Sequence, residues 1–467
     1  MRDRPRRTAA ATARGVMHEP LYSVEEMRAA EARYPGYPET ASELMDRAGR
    51  AVADECVRTF PDARRFAAVC GGGANGGDGR VAVGALRQAG REAEETDDLT
   101  GADVVVDALF GTGFRGAPRL EAATLIDRIN GSGLPVVSVD IPSGVDASTG
   151  EIAGAAVEAD LTVTFHGAKV GLAIAPGRFR AGRVVVAPIG LEDEATAVVR
   201  ATAAVLRRVP RRGTADSKFT AGSLLVVGGA AGTTGAPVLT ATAALRADAG
   251  YVTLAVPTAC LPVAETLALE PVKRGFEHGT ALETLAVDLG RASALAIGPG
   301  IGRSEEAHSL VLELLARSSL PAVVDADALF GLEPLARDAP TVLTPHAGEL
   351  ARLLGVESDW VAAHRLEAAA RCTERFGAVV LLKGPDTIVR APDGTTVVCD
   401  TGPPSLATAG TGDVLTGVVG AFLAKGLEAT DAAVAGAVAH GLAAAAVTRQ
   451  SGLVASDVVS ALPSVLS

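Results

Sequence analysis

Aromatic side chains are scarce in this 467-residue chain, at 3% with a single tryptophan, although hydrophobic residues make up 48%. Alanine, valine and leucine must therefore fill any core, the apolar vocabulary of helices packed on parallel strands. Positive charge is also in short supply: 43 Lys and Arg stand against 55 Asp and Glu, a formal net charge of −12. That balance argues against gripping a nucleic-acid backbone by counterion release and points to small-molecule chemistry. The five cysteines (Cys56, Cys70, Cys260, Cys372, Cys399) include no CxxC pair and are odd in number. Neither a zinc site nor a disulfide framework is supported, and a reducing, cytoplasmic setting fits. An uninterrupted, strongly apolar span long enough to cross a bilayer is missing as well, so no membrane partner is expected. The opening "MRDRPRRTAAATARGVMHEP" is basic but has no apolar segment of the secretory kind. Residues 1–19 read as a disordered tail, with a transit peptide as the alternative.

What is present is a rhythm. From residue 66, apolar runs ("FAAVCGGG", "ADVVVDALFGTG", "LPVVSVDIPSG", "DLTVTFHGAK", "GRVVVAPIG") alternate with helical patterns such as "RVAVGALRQAG". This βαβ pattern specifies an α/β fold with a parallel sheet and its ligand-binding loops at the strand ends. The rhythm breaks at "RATAAVLRRVPRRGTADSKFT", which places a boundary near residue 205. A second series follows: "GSLLVVGGA", "YVTLAVP", "ALAIGPGIG", "PAVVDADAL", "TVLTPHAGEL" and "AVVLLKGPDT". The length suits two domains, 20–205 and 206–467, and no residue-by-residue repeat relates them.

In the second half, "SLATAGTGDVLTG" opens a helix whose Leu415, Val418, Val419, Phe422 and Leu423 share a face. Gly410, Thr411 and Gly412 can aim unpaired N–H groups at phosphate oxygens, and Asp413 in the first turn, expected to be ionised, can take a proton from a hydroxyl being phosphorylated. Taken as a bare "TGD", Asp413 reads more simply as a helix cap or first-turn acid, and it is the surrounding motifs that favour the catalytic reading. Lys383 and Gly384 follow an apolar strand and suit a nucleotide phosphate. Asp325 and Asp327 follow another, where helix capping competes with a magnesium-linked role. His346 lies in a loop just before a helix.

Together, "GGAAGTTGAPVLTATAALRADAGYVTLAVP" (228–257), "GPGIG" (298–302), "TPHAGE" (344–349), "KGPDT" (383–387) and "LATAGTGDVLTG" (406–417) resemble the carbohydrate-kinase-like NAD(P)H-hydrate dehydratases over nearly all of 214–467. The resemblance implies a ribokinase-like domain that consumes ADP, with magnesium, to AMP and phosphate while dehydrating hydrated NADH or NADPH. It further implies that Lys383, Gly384, Pro385, Asp386, Thr387 and Gly412 hold the nucleotide. Ala236, Gly300, Gly302, His346 and Asp413 would meet the hydrate, with Asp413 catalytic.

In the first half, "GGGANGGDG" (71–79) contains a literal GxGxxG. A dinucleotide fingerprint needs an acid ending a second strand about 20 residues on. "REAEETDDLTGAD" offers acids but no apolar strand, so an anion-cradling nest is the better reading. With "ELMDRAGRAVA" (43–53), "DALFGTGFRG" (107–116), "SVDIPSGVDASTG" (138–150) and "FHGAKVGL" (165–172), the loop resembles the NAD(P)H-hydrate epimerases over about 20–190. The resemblance implies a Rossmann-like three-layer domain in which Asn75, Asp107 and Ser143 match potassium-site positions. Asn75, Gly76, Gly77 and Asp78 would meet the substrate, the run Gly111, Thr112, Gly113, Phe114, Arg115, Gly116, Ala117 its phosphates, and Asp140 the reacting group as a catalytic residue. Lys169 occupies a conspicuous strand-end position. Two departures stand out: Ala74 replaces the family's usual first asparagine, and 80–103 leaves room for one helix and little else, so a smaller sheet is expected.

The sequence thus points to a bifunctional nicotinamide-nucleotide repair enzyme, expected as a homo-oligomer that acts on hydrated NADH or NADPH and ADP. Its rivals are a small-molecule kinase of ribokinase-like fold, and an active dehydratase whose first half only binds or assembles.

Overall fold

The computed structural model describes residues 16–334 and 337–466. The greater part of the expected basic tail lies outside the described residues, but His18 and Glu19 sit in a strand, β1 (His18–Leu21). The chain divides into two compact units, one of Pro20–Val199 with Ala362–His364, the other of Arg200–Val361 and Arg365–Ser467 with the segment up to Glu19.

The first unit contains a six-stranded sheet of β2 (Arg65–Cys70), β3 (Glu92–Glu95), β4 (Val104–Ala108), β5 (Val136–Val139), β6 (Leu161–Phe165) and β7 (Arg183–Ala187), in the order β3-β2-β4-β5-β6-β7. Every pairing in it is parallel. Its central strands β4, β5 and β6 are buried throughout. The segment 80–103 holds a strand as well as a helix. After the helix Ala74–Gln88 comes β3, "EAEE", an edge strand with only Ala93 buried. It escapes a search for apolar runs because an edge strand in contact with water on its outer side needs little apolar surface.

The second unit is built on an eleven-stranded sheet. After β8 (Val198–Ala201) come β9 (Ser223–Val227), β10 (Tyr251–Pro257), β11 (Val272–Phe276), β12 (Ala294–Ile297), β13 (Ala322–Val324), β14 (Thr341–Leu343), β15 (Val379–Leu382), β16 (Thr387–Arg390) and β17 (Thr396–Cys399). Their order is β1-β8-β17-β16-β15-β14-β13-β12-β9-β10-β11. The run from β15 to β11 is parallel, and β15-β16-β17 is an antiparallel extension. The division between the units falls inside β8, at Arg200, a few residues before the break in rhythm near 205.

In both units the chain reverses direction across the sheet beside its first parallel strand, between β2 and β4 in one and between β9 and β12 in the other. Crevices for ligands open at such points, outside the carboxyl ends of the strands. Glycine is obligatory where loops from neighbouring strands meet there. A Cβ on Gly298 (φ +123°) would lie 1.9 Å from the Asp325 carbonyl, and one on Gly71 would lie 2.1 Å from the Leu109 carbonyl. The helix Ala429–Ala446 is long and apolar enough to cross a membrane by length and composition, unlike anything expected from the sequence. It is 72% buried inside its unit and carries Asp431 and His440, the pattern of a core helix.

Candidate active sites

In the first unit, Asp107 ends β4 with its carboxylate fully buried. Ser138 Oγ (2.8 Å), Ser143 N (2.9 Å), Ser143 Oγ (2.6 Å) and Leu109 N (3.3 Å) all donate to it. Burial nonetheless pushes the carboxyl above its ordinary value, against those hydrogen bonds. Ser143 Oγ accepts from Phe110 N at 2.8 Å, and Asn75 Nδ2 donates to the Phe110 carbonyl at 2.9 Å. Asn75, Asp107 and Ser143, separate in sequence, thus converge around Phe110, an all-oxygen set once the Asn75 amide oxygen is counted. The 111–117 loop continues from there, with Phe114 stacked on Phe110 at 4.6 Å between centroids and Arg115 exposed.

Beside it, Asp140 adopts φ +64°, the left-handed region that few residues other than glycine, asparagine and aspartate visit. Lys169, with no exposed surface, holds it there. Its Nζ lies 2.7 Å from Asp140 Oδ1 and donates to Thr164 Oγ1 and to the carbonyls of Phe165 and Gly167. Thr164 Oγ1 donates to the same Asp140 oxygen at 3.0 Å. Burial, with the charges of Asp140 and Glu31, pushes Asp78 up to about 8. Glu31, from the helix Val24–Ala32, is raised by burial and by Asp140 in turn. Three carboxylic groups therefore share one lysine, an arrangement that keeps one of them protonated near neutrality. Glu31 carries no signal in the sequence: it lies on an ordinary amphipathic helix, and only the fold brings it near Asp140.

In the second unit, Asp413 stands in the first turn of the helix Thr411–Ala424, behind Gly410 at φ +88°. It is not the plainly ionised carboxylate expected. Burial, then the charge of Asp325, pushes it up to about 7, with Lys383 pulling the other way. Asp325 does not serve as the helix cap foreseen for it. It makes no capping bond, and its carboxylate is spent on Lys383 Nζ (2.8 Å) and Thr416 Oγ1 (2.7 Å). Burial opposes its ionisation, but Lys383 and the hydrogen bonds outweigh that and hold it below its ordinary value. Lys383 keeps its proton for the matching reason: Asp325 and Glu349, the latter at 3.7 Å, overcome its burial. A Cβ on Gly412 would lie 3.4 Å from Lys383 Nζ, so the two loops expected to hold a nucleotide are adjacent.

His346 caps the helix Ala347–Leu354, its Nδ1 accepting from Gly348 N (3.0 Å) and Glu349 N (3.3 Å) while Glu349 Oε2 accepts from His346 N. Burial lowers its pKa, in keeping with an Nδ1 that must stay unprotonated to accept. Ala236 opens the helix Gly235–Arg246, whose Thr240 donates to the Asp413 carbonyl at 3.0 Å. Gly300, whose added Cβ would lie 3.2 Å from Ala236 Cβ, accepts from Thr233 Oγ1 at 2.7 Å. Gly302 N and Arg303 Nε both donate to Asp327, which thereby fixes the "GPGIG" turn. In the "KGPDT" loop, Gly384 and Pro385 are exposed and Thr387 half-buried, but the Asp386 side chain has no exposed surface and faces Arg365. Any contact of Asp386 with a nucleotide is left to its backbone.

Comparison with known proteins completes the picture. A family model described as NAD(P)H-hydrate dehydratase matches residues 224–464, and one described as YjeF-related protein N-terminus matches 41–94 and 84–171. A bifunctional NAD(P)H-hydrate repair enzyme of Moorella thermoacetica is 39% identical over 486 residues, covering 91% of this chain and 92% of its own. The chain belongs to the bifunctional NAD(P)H-hydrate repair enzymes. The family member of Escherichia coli K12 is 37% identical, covering 92% of this chain and 90% of its own. An ADP/ATP-dependent NAD(P)H-hydrate dehydratase of Bacillus subtilis, crystallised with ATP and Mg2+, matches with a TM-score of 0.51 at 28% identity, covering 56% of this chain and 96% of that one.

Sequence reasoning passed over His440, on the helix Ala429–Ala446, which is buried against the entrance of the Asp413 helix with a backbone hydrogen bond to Thr411. Burial lowers its pKa from 6.5 to about 4. Between those values the unfolded chain binds a proton that the native chain does not, so stability from neutral His440 is complete above 6.5 and is lost as pH falls toward 4. His440→Gln should therefore flatten the decline of the denaturation midpoint between pH 7 and pH 5. A decline as steep as the wild type's would show that His440 does not contribute to acid sensitivity.

Proposed function

We propose that this member retains both activities of the family. The second unit makes NADH or NADPH from its hydrate at the expense of ADP, releasing AMP and phosphate, and the first interconverts the R and S hydrates. The observation that carries the dehydratase reading is Asp413, a carboxyl at about 7 on a phosphate-binding helix entrance, beside the Lys383–Asp325 pair.

The chemistry follows from that placement. Asp413 takes the proton of the substrate hydroxyl as its oxygen attacks the terminal phosphorus of ADP and the bond to AMP breaks. Lys383 and the N–H groups of the helix entrance receive the developing charge. The hydroxyl, a poor leaving group, is now a phosphate ester. The ring nitrogen expels it as phosphate, and loss of a proton from the neighbouring ring carbon restores the double bond. Magnesium enters with the nucleotide as part of the co-substrate. Lys383, Gly384, Pro385, Asp386, Thr387 and Gly412 are assigned to the nucleotide, and Ala236, Gly300, Gly302, His346 and Asp413 to the hydrate.

In the first unit the oxygens of Asn75, Asp107 and Ser143 suit a hard monovalent cation, and we assign them to potassium. The ion, when bound, supplies positive charge that fixes these loops and offsets the substrate's phosphates. Asp140, paired with Lys169, and Asp78, protonated near neutrality, form the base and acid that an inversion at a hydroxyl-bearing carbon needs. The five free cysteines support a reducing compartment, taken here as the cytoplasm, and a homo-oligomer is our working assembly.

Asp413→Asn keeps the shape but cannot accept the proton, and should lose about 10²- to 10⁴-fold in ADP-dependent turnover. Turnover at the wild-type rate would reduce Asp413 to a helix cap. For the first unit, a mixed-isomer sample is followed while spontaneous interconversion is slow. The wild type should consume both isomers, and Asp140→Asn only one. A wild-type chain that leaves one isomer untouched would make the first unit a binding or assembly module.

A further inference from the structure

The "KGPDT" loop is held from behind by a residue that sequence motifs do not reveal. Arg365 opens the helix Arg365–Phe376 and is buried, at 5% exposure. Its Nε lies 2.7 Å from Asp386 Oδ1, and that aspartate has no exposed surface. Its Nη2 reaches the Lys383 carbonyl at 3.5 Å. The guanidinium lies so close to Gly384 that a Cβ there would sit 2.3 Å from Nη2 and 2.9 Å from Cζ. One side chain therefore touches three of the loop's residues, 383, 384 and 386, and leaves the exposed Pro385 untouched between the last two.

We propose that Arg365 is a positioning residue for the nucleotide. It never meets the ligand. It draws Asp386 inward, which turns the Gly384–Pro385 segment outward, and it fixes the carbonyl of the residue whose ammonium reaches Asp325. A flat, permanently charged fork does this where a point charge on a flexible stem does not, because the ion pair and the carbonyl contact require two directions at once. The absence of a side chain on Gly384 has its reason in this packing. The inference rests on the reading that ADP binds at this loop.

Arg365→Lys and Asp386→Asn test it in the full chain. Both are close in volume to the native residues, and neither group is exposed to the ligand. ADP binding is followed by titration calorimetry and by the ADP concentration for half-maximal turnover, alongside the KM for the hydrate and the thermal midpoint. Wild-type binding of ADP checks the reading on which the inference stands. Given that binding, each variant should need more ADP, up to about a hundredfold for a loop displaced by an ångström, with the hydrate KM within about twofold of wild type. The double variant should be no worse than the poorer single one, since both break the same contact. A folded variant with a lowered thermal midpoint but an unchanged ADP requirement would overturn the inference and leave Arg365 a merely structural residue. So would an equal rise in both KM values.

Discussion

The proposed dehydratase site depends on one largely buried ion pair. Lys383, at the end of β15, and Asp325, at the end of β13, meet at 2.8 Å beneath the entrance of the Asp413 helix, and Thr416 from that helix closes the triangle. A buried pair of this kind is poor evidence of stability, since desolvation consumes much of the Coulombic gain. Its consequence here is electrostatic. Asp325 remains ionised because Lys383 does, and its unexposed charge is the neighbour that does most to hold Asp413 near neutrality. A base that titrates near the working pH takes a proton readily and returns it readily.

The first unit solves a similar problem with different parts. There a single fully buried lysine serves Asp140 directly, and the like charges of Asp140 and Glu31 help keep Asp78 protonated. Both sites lie at the carboxyl ends of parallel strands, where the sheet order reverses and loops from neighbouring strands come within reach of one another.

Much of this was legible in the sequence. Buried parallel strands announce themselves as continuous Val, Leu and Ala runs, and glycine turns mark their ends, so the α/β class and the positions of Asp107, Lys383 and Asp413 followed from pattern, whereas Asp140 came from the resemblance to the epimerases. The misreadings share a cause. The edge strand Glu92–Glu95 has almost no apolar surface to register, and the helix Ala429–Ala446 resembles a loop-free alanine run until its neighbours bury it. Asp325 read as a cap because local sequence shows only what a residue does to its own backbone, whereas its true partner stands 58 positions away. Arg365, Glu31 and His440 were invisible for the same reason: each acts on a loop that the chain brings to it only on folding.

The most direct test of the account is the pH dependence of ADP-dependent dehydration in Asp325→Asn. In the wild type, turnover should rise with pH through about 7 as Asp413 ionises. Replacing Asp325 removes the charge that most opposes that ionisation and leaves Lys383 free to favour it, so the rise should move to lower pH even if the maximum falls. A rise that stays in place, or moves to higher pH, would mean that this pair does not set the charge of Asp413.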